Sequence, residues 1–206
     1  MISFWERESL LSYDIIIVGS GIVGLQTAIL LKQKFPNRSV MILERGLLPT
    51  GASTRNAGFA ATGSLSELIN DSKQMSEIEL CQLFSQRKSG LDFLRNQLGD
   101  DAIGYENNGS YALLEISEAY VMEHMTHYNQ LLREHIQGAL AFQEAHEKIQ
   151  EFGWENGKFK YCLRNNTEAA IDTGKLMKSL GELALQSGVQ IITGAALISY
   201  EERQNR

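Results

Sequence analysis

Three glycines at a fixed spacing are the residues of this sequence best suited to binding a phosphorylated ligand. Gly19, Gly21 and Gly24 form a Gly-x-Gly-x-x-Gly motif. Between a strand and a helix, the first glycine permits a tight turn and the second lets backbone approach a pyrophosphate. The third lets the helix pack closely on the strand. The N–H groups and positive dipole end of a helix beginning near Ile22 would face the phosphates. The spacing therefore predicts a dinucleotide site, with a purely structural glycine turn as the competing interpretation.

An acidic residue stands where such a site needs one. Glu44 follows Gly24 by 20 residues, and a carboxylate there is expected to accept hydrogen bonds from the adenosine ribose hydroxyls. The same charge would repel the 2′-phosphate of NADP. Glu44 is followed by Arg45 and then by a segment rich in Gly, Ala, Ser and Thr, 47–63, which favours FAD over NAD.

The segments around the motif predict the elements that would position it. A near-continuous β-branched run at Tyr13–Val18 predicts a strand buried on both faces of a parallel sheet. Leu25–Lys34 has helical spacing, and Ser39–Leu43 predicts a second buried strand ending at Glu44. Strand, glycine loop, helix and strand within about 30 residues make a βαβ unit.

The middle of the chain predicts mixed elements. Residues 64–97 have a helical pattern, with Ser76 and Glu79 forming a capping box. Asn107-Asn108-Gly109 predicts a hairpin turn with Tyr111–Leu114 as the returning strand. Residues 118–152 are predicted to be helical, with a break near Gly138, and residues 161–170 extended or irregular.

The last part of the sequence predicts one more helix and strand. Residues 172–186 predict a helix ended by Gly188, and Val189–Thr193 a strand. Leu197–Tyr200 is interpreted as the start of a further strand. The predicted fold class is α/β, a Rossmann-like FAD-binding βαβ domain with part of an α+β substrate domain. We expect the FAD-binding region at 1–75, the partial substrate domain at 76–170 and the truncated return at 171–206.

The composition and charge of the chain indicate which classes of partner are not expected. The chain has 206 residues, a net charge of −6 and a pI near 5.3, so no basic face for nucleic acid is expected. Apolar runs are too short for a membrane span, and residues 1–12 lack the apolar core of a secretory signal. Cys81 and Cys162 lack metal or disulfide spacing and predict buried free thiols. A cytoplasmic protein is expected.

Residues 14–59 resemble the D-amino-acid oxidase and glycine oxidase family of FAD-dependent oxidoreductases. The resemblance rests on the segment from Asp14 to Glu44 and on the run from Gly51 to Phe59. The lead-in Ser3–Glu8 and the later segment Ala170–Leu176 are also similar to that family. The resemblance is specific in residues 14–59 and weaker around residues 168–198.

The resemblance implies a set of FAD-contacting residues. The backbone at Ile22 and Val23, beside the three glycines, would hold the pyrophosphate. Glu44 and Arg45 would hold the adenosine. Ala52 and Ser53 would contact the phosphate and ribityl region. The backbone of Ala196 would contact the adenine. Ala57, Gly58 and Phe59 would pass beside the isoalloxazine ring, where small residues let backbone touch the flavin.

The chemistry implied by the resemblance is oxidation of an amine or amino acid by hydride transfer to flavin. Because the cofactor carries that reaction, no catalytic residue is assigned. His124 and His127 could form a metal pair, but without a third ligand solvated helix faces are favoured, and no metal is expected. Arg55 and Asn56 are interpreted either as phosphate or active-site contacts or as a polar loop held by local hydrogen bonds.

Enzymes of the family are nearly twice as long as this sequence. We therefore expect an N-terminal fragment that is inactive by itself, with an oligomeric state that the residues do not predict. Two alternatives stay open. One is an FAD enzyme acting on a hydroxy acid or glycerol phosphate, and the other is a non-catalytic cofactor-binding module.

Overall fold

The computed structural model describes residues 3–154 and 157–202. The α-helices, numbered along the chain, are α1 (Phe4–Leu10), α2 (Ile22–Lys34), α3 (Leu65–Asp71), α4 (Glu77–Leu98), α5 (Asp100–Ile103), α6 (Tyr120–Glu123), α7 (Met125–Leu132), α8 (Glu147–Glu151) and α9 (Thr173–Gln186). The strands are β1 (Ile15–Val18), β2 (Val40–Leu43), β3 (Phe59–Ala60), β4 (Ser110–Glu115), β5 (Phe142–Glu144), β6 (Phe159–Asn165), β7 (Ala169–Ala170) and β8 (Gln190–Ile192). Short 3₁₀ turns cover Ala52–Thr54, Ile116–Glu118 and Arg133–Ile136.

The chain divides into two compact units. Unit 1 comprises the described residues within 1–57 and 173–206, and unit 2 comprises those within 58–172. The predicted regions 1–75 and 171–206 reach beyond the described residues at the two ends of the chain. The predicted functional boundaries at residues 75 and 170 stay predictions, because the two compact units are defined by contacts between residues and not by function.

Unit 1 is a parallel sheet in the strand order β1-β2-β8. Ile15 pairs with Val40 and Val18 with Leu43, while Leu43 also pairs with Ile192 on the other side. Helix α2 packs on β1 and β2, and helix α9 packs on α2 and β8. Their buried faces carry aliphatic residues such as Leu25, because helical spacing brings these side chains to the sheet side. The predicted βαβ unit and the α/β fold class are confirmed.

One expectation about the sheet is wrong. Tyr13–Val18 was expected to form a strand buried on both faces, but β1 covers only Ile15–Val18, and residues Ile16 and Val18 are 50% and 59% exposed. Ile16 and Val18 are two residues apart and therefore share one face of β1. Ile17 is on the opposite face, which packs on α2, since its Cγ2 lies 3.5 Å from an ideal Cβ on Gly24. The exposure is thus confined to one face, and an apolar run does not show which face a neighbour covers.

Unit 2 contains an antiparallel sheet in the order β4-β6-β5 and a two-stranded pairing of β3 with β7. One face of the larger sheet packs on α3, α4 and α7, and the core there includes Phe84, Leu114, Phe142 and Leu163. The predicted capping box of α4 is confirmed, since Ser76 and Glu79 satisfy each other's backbone N–H groups.

The predicted hairpin is wrong. Tyr111–Leu114 is a strand, as expected, but its partner is β6, with Tyr111 opposite Arg164. The segment predicted as helical at 118–152 includes strand β5, and no strand is assigned at Leu197–Tyr200. Within the described part of the chain, no helix has the length and apolar character needed to cross a membrane.

Candidate functional site

The glycine motif forms the turn between β1 and α2. Gly19 has φ +96°, a left-handed conformation that strongly favours glycine, and its N–H donates to the Leu43 carbonyl at 2.8 Å. A Cβ on Gly24 would lie 2.0 Å from the Gly19 carbonyl oxygen. A Cβ on Gly21 would lie 2.9 Å from the Ser53 Oγ. A side chain is therefore excluded at Gly24 by a backbone clash and disfavoured at Gly19 by its φ, whereas a Cβ on Gly21 would require the Ser53 hydroxyl to move.

The N-terminus of α2 faces the 49–56 loop. Gly21 is the N-cap and offers no side-chain acceptor to the helix. The Ile22 N–H donates instead to the Ser53 Oγ at 3.1 Å. The loop is braced locally, because the Asn56 side chain donates to the carbonyls of Ala52 and Ser53, each at 3.1 Å. These bonds favour the interpretation of Asn56 as a residue that holds the loop.

Glu44 lies at the carboxyl end of β2 and is bound tightly by its own chain. Its Oε2 accepts from the Ser20 N–H at 2.9 Å and from the Ser20 hydroxyl at 2.8 Å. Its Oε1 accepts from the Gly46 N–H at 2.9 Å. The backbone N–H of Ser20, followed by that of Gly46, holds the pKa of Glu44 below its ordinary value, although burial acts the other way. The carboxylate is therefore ionised at neutral pH.

Residues 195–197 form the third side of the site. The Glu44 N–H donates to the Ile192 carbonyl at 2.8 Å, and the Ala195 N–H donates to the Glu44 carbonyl at 2.9 Å. These bonds continue the β2–β8 pairing past the end of both strands. They hold the backbone of Ala196 beside the carboxyl end of β2.

A cavity of about 510 Å³ lies between these elements. Its lining comes from the ends of β1 and β2, the glycine loop, the 49–53 segment and the 195–197 segment. The lining residues are Val18, Gly19, Gly21, Leu43, Glu44, Arg45, Pro49, Thr50, Gly51, Ala52, Ser53, Ala195, Ala196 and Leu197. All of them belong to unit 1. Ligands of open α/β sheets bind at this position, outside the carboxyl ends of the strands.

Seven of the predicted site residues meet in this cavity, and six do not line it. Those that meet are Gly19, Gly21, Glu44, Arg45, Ala52, Ser53 and Ala196. Ile22 and Val23 form the first turn of α2, where the Val23 side chain is 79% exposed, and Gly24 packs on Gly19. Ala57 is the last residue before unit 2. Gly58 and Phe59 belong to unit 2, where Phe59 pairs with Ala170 and the Gly58 carbonyl accepts from the Ile171 N–H at 2.7 Å.

Several lining residues were missed by sequence reasoning. Pro49, Thr50 and Gly51 line the cavity, but their residue types indicated only a loop of small and turn-forming residues. Ser20 is an unspecified position of the motif, yet it binds Glu44 through two groups. Val18 and Leu43 were findable, because the last residue of each parallel strand faces the ligand edge.

The cavity fits the adenosine diphosphate part of a dinucleotide. The N-terminal end of the 13-residue helix α2, whose N-cap residue offers no side-chain acceptor, suits a pyrophosphate. Glu44 supplies an ionised acceptor for a ribose hydroxyl. The cavity edge at Ala52 and Ser53 is lined by small side chains, so backbone can come close to a ligand.

The candidate metal residues are not grouped as a site. His127 lies 3.0 Å from Glu77 across an exposed pair. Within residues 3–154 and 157–202, no three His, Cys, Asp or Glu side chains are placed to hold one ion. Cys81 and Cys162 are free and buried, and burial raises the pKa of both thiols.

Comparisons with known proteins agree with this fold. A family model described as DAO, FAD dependent oxidoreductase, matches residues 14–206. Comparison with curated protein sequences finds no match. Solved structures do match, at identities low enough that the likeness concerns the fold.

Three of the matching solved structures are two oxidases and a deaminase. Glycine oxidase from Geobacillus kaustophilus has a TM-score of 0.63 at 21% identity, over 88% of this chain and 46% of that one. L-amino acid deaminase from Proteus myxofaciens has a TM-score of 0.67 at 20% identity, over 94% and 40%. L-alpha-glycerophosphate oxidase from Mycoplasma pneumoniae, with FAD bound, has a TM-score of 0.58 at 20% identity, over 88% and 44%. The chain spans less than half the length of each of these proteins.

Proposed function

The chain belongs to the DAO family of FAD-dependent oxidoreductases, and we propose that unit 1 holds FAD in the cavity at the carboxyl ends of β1 and β2. The observation that carries this proposal is the convergence on one cavity of the α2 N-terminus, the side-chain-free Gly21 and the buried carboxylate of Glu44. These features match two polar parts of the ligand, the anionic pyrophosphate and the neutral ribose. The helix end suits the pyrophosphate, and the carboxylate suits a ribose hydroxyl.

Individual residues then take separate roles. Gly19, Gly21 and the first turn of α2 (Ile22–Gly24) would approach the pyrophosphate. Glu44 and Arg45 would contact the adenosine ribose, and the backbone at Ala196 the adenine. The 52–53 segment would contact the phosphate and ribityl region. Small residues at 57–58, followed by Phe59, would lie beside the isoalloxazine ring.

We propose that the protein oxidises an amine or an amino acid. Bound FAD would supply the redox chemistry, in which the flavin takes up a hydride equivalent from substrate carbon. This chain's residues would bind and orient the cofactor and keep Glu44 ionised. Fold likeness to glycine oxidase and L-amino acid deaminase supports this substrate class. Fold likeness to L-alpha-glycerophosphate oxidase keeps a hydroxy-acid or glycerol-phosphate substrate as the second candidate.

Titration of FAD into the purified chain tests the cofactor assignment. Binding should quench flavin fluorescence with one FAD per chain, and Glu44→Ala should weaken it by at least about tenfold, since a charge-assisted hydrogen bond is lost. Glu182→Ala is the control, because Glu182 is an exposed residue of α9 that does not line the cavity. This variant should bind FAD like the wild type. Absence of flavin binding by the wild type would contradict the proposal.

Anaerobic mixing tests the substrate class. The purified protein is loaded with FAD and mixed with amines, amino acids, 2-hydroxy acids or glycerol 3-phosphate. Bleaching of the flavin absorbance by amines or amino acids supports the first candidate. Bleaching by hydroxy acids or glycerol 3-phosphate alone would replace it with the second.

A further inference from the structure

Ser20 joins the glycine loop to the end of β2 through a single carboxylate oxygen. Its side chain is almost fully buried, and the residue is 4% exposed. Both its backbone N–H and its hydroxyl donate to Oε2 of Glu44, at 2.9 and 2.8 Å. The Gly-x-Gly-x-x-Gly motif requires no serine at this position, so the contact is a feature of this sequence.

The three donors leave Glu44 little capacity for further hydrogen bonds. A carboxylate offers about four lone-pair positions, two on each oxygen. Ser20 fills both positions on Oε2, and the Gly46 N–H fills one on Oε1. Glu44 is 7% exposed yet lines the cavity. One acceptor position, on Oε1, is left for a ligand.

We propose that Ser20 is a positioning and specificity residue that limits Glu44 to one hydroxyl of the adenosine ribose. The inference rests on the proposed binding of FAD in this cavity. By occupying Oε2, Ser20 fixes the side-chain rotamer of Glu44 and turns Oε1 to the ligand. The 2′- and 3′-hydroxyls of the ribose are then recognised unequally, because one of them meets Oε1 and the other meets no free acceptor on Glu44.

The opposite ends of the same two strands provide a matched control. There the Ser39 N–H and hydroxyl both donate to Oδ2 of Asp14, at 2.8 and 2.9 Å. The bond types equal those of Ser20 with Glu44, but this pair does not line the cavity. Ser39→Ala therefore removes the same kind of hydroxyl-to-carboxylate bond, together with the bond that the Ser39 Oγ accepts from the Asp14 N–H at 2.8 Å, without touching the proposed site.

Calorimetric titration with ADP, 2′-deoxy-ADP and 3′-deoxy-ADP tests the proposal. In the wild type, loss of one hydroxyl should weaken binding by at least about tenfold, as expected for a hydrogen bond to a charged group, and loss of the other by less than about twofold. Ser20→Ala frees a position on Oε2 and loosens the rotamer. It should weaken ADP binding by at least about twofold and bring the two deoxy analogues closer together in affinity. Ser20→Thr, which keeps the hydroxyl, should restore the difference, and Ser39→Ala should leave all three affinities unchanged.

The outcomes separate this inference from the proposed function. Equal losses for the two deoxy analogues in the wild type would overturn the single-acceptor arrangement, and this comparison needs no variant. Unchanged affinity and discrimination in folded Ser20→Ala, with FAD still bound by the wild type, would overturn the role of Ser20 alone. If the wild type binds neither ADP nor FAD, the proposed function fails and the inference with it.

Discussion

The carbonyl oxygen of Gly19 occupies the space that a side chain on Gly24 would need. The separation between that oxygen and an ideal Cβ on residue 24 is 2.0 Å, far inside contact distance. The atom in the way is backbone, so it cannot turn aside as a side chain would. The distance therefore sets how closely α2 lies on β1, and with it the position of the α2 N-terminus at the cavity.

Gly24→Ala should destabilise unit 1 and abolish FAD binding. Relief of the clash requires movement of the helix or of the glycine loop, and overpacking of this kind typically costs about 1–3 kcal/mol or more. Gly181→Ala is the control, because Gly181 lies inside α9 with no atom within 4 Å of its Cβ position. That substitution should raise stability by about 0.5–1 kcal/mol. Urea unfolding of both variants measures the difference, and a Gly24→Ala protein as stable as the wild type would contradict the argument.

FAD binding should be lost at acid pH through protonation of Glu44. The pKa of Glu44 is lowered in the folded chain by the N–H groups of Ser20 and Gly46, below an ordinary value of about 4.3. Binding should therefore stay constant above about pH 4.3 and weaken as the pH falls through the lowered pKa. In Glu44→Gln the acid dependence should disappear, and an NH₂ group would face a backbone donor, at a cost of about 1–3 kcal/mol in stability. Fluorescence titration across this pH range checks both expectations.

Asp14 should contribute stability that depends on pH. The Ser39 N–H, the Arg38 guanidinium and the Ser39 hydroxyl lower the pKa of Asp14 to about 2. A folded pKa below the unfolded value of about 3.9 means that the contribution is complete above pH 4 and is lost as the pH falls toward 2. The stability difference between wild type and Asp14→Asn should shrink over that interval in urea unfolding. Glu8→Gln on α1, where the carboxylate lies 3.6 Å from Arg7 on an exposed face, is the control for loss of a surface carboxylate.

Glu168 is expected to hold unit 2 together at the end of β6. This buried residue accepts from the Thr62 and Gly63 N–H groups at 3.2 and 3.1 Å, and from the Ser110 hydroxyl at 2.5 Å. Glu168→Ala leaves two buried N–H groups without an acceptor, each worth about 1–3 kcal/mol. Glu168→Gln keeps a carbonyl oxygen for them and can donate to Ser110, so it should lose much less stability. Equal losses in the two variants, measured by thermal unfolding, would show that the acceptor is not what matters.

Local sequence determined the elements of the cofactor unit. The strand at Ile15–Val18, the glycine turn, helix α2 and strand β2 could all be predicted, because each depends on residues close in the chain. Gly19 has the positive φ that the turn requires, and α4 begins at the predicted capping box. The position of Glu44 at the end of a strand followed from the same local pattern.

Pairing between distant segments was decided only by the tertiary structure. Tyr111–Leu114 had the residues of a strand, but a nearby turn signal gave the wrong partner, because β-strands gain stability from side-chain packing on whichever strand completes the core. Likewise, the apolar run of β1 records a preference for burial and not which of its two faces a neighbour covers.

The sequence by itself determined the donors and acceptors of the site, and the tertiary structure decided how many remain free. Glu44 was recognisable as an acceptor from its distance to the glycines. Ser20 and Gly46 fill three of the acceptor positions of Glu44. They can do so because the turn between β1 and α2 lies against the end of β2. Likewise, Ser53 and Ala196 reach the cavity because loops separated by more than a hundred residues close over the same strand ends. Such arrangements depend on packing of the whole unit, which residue spacing along the chain does not encode.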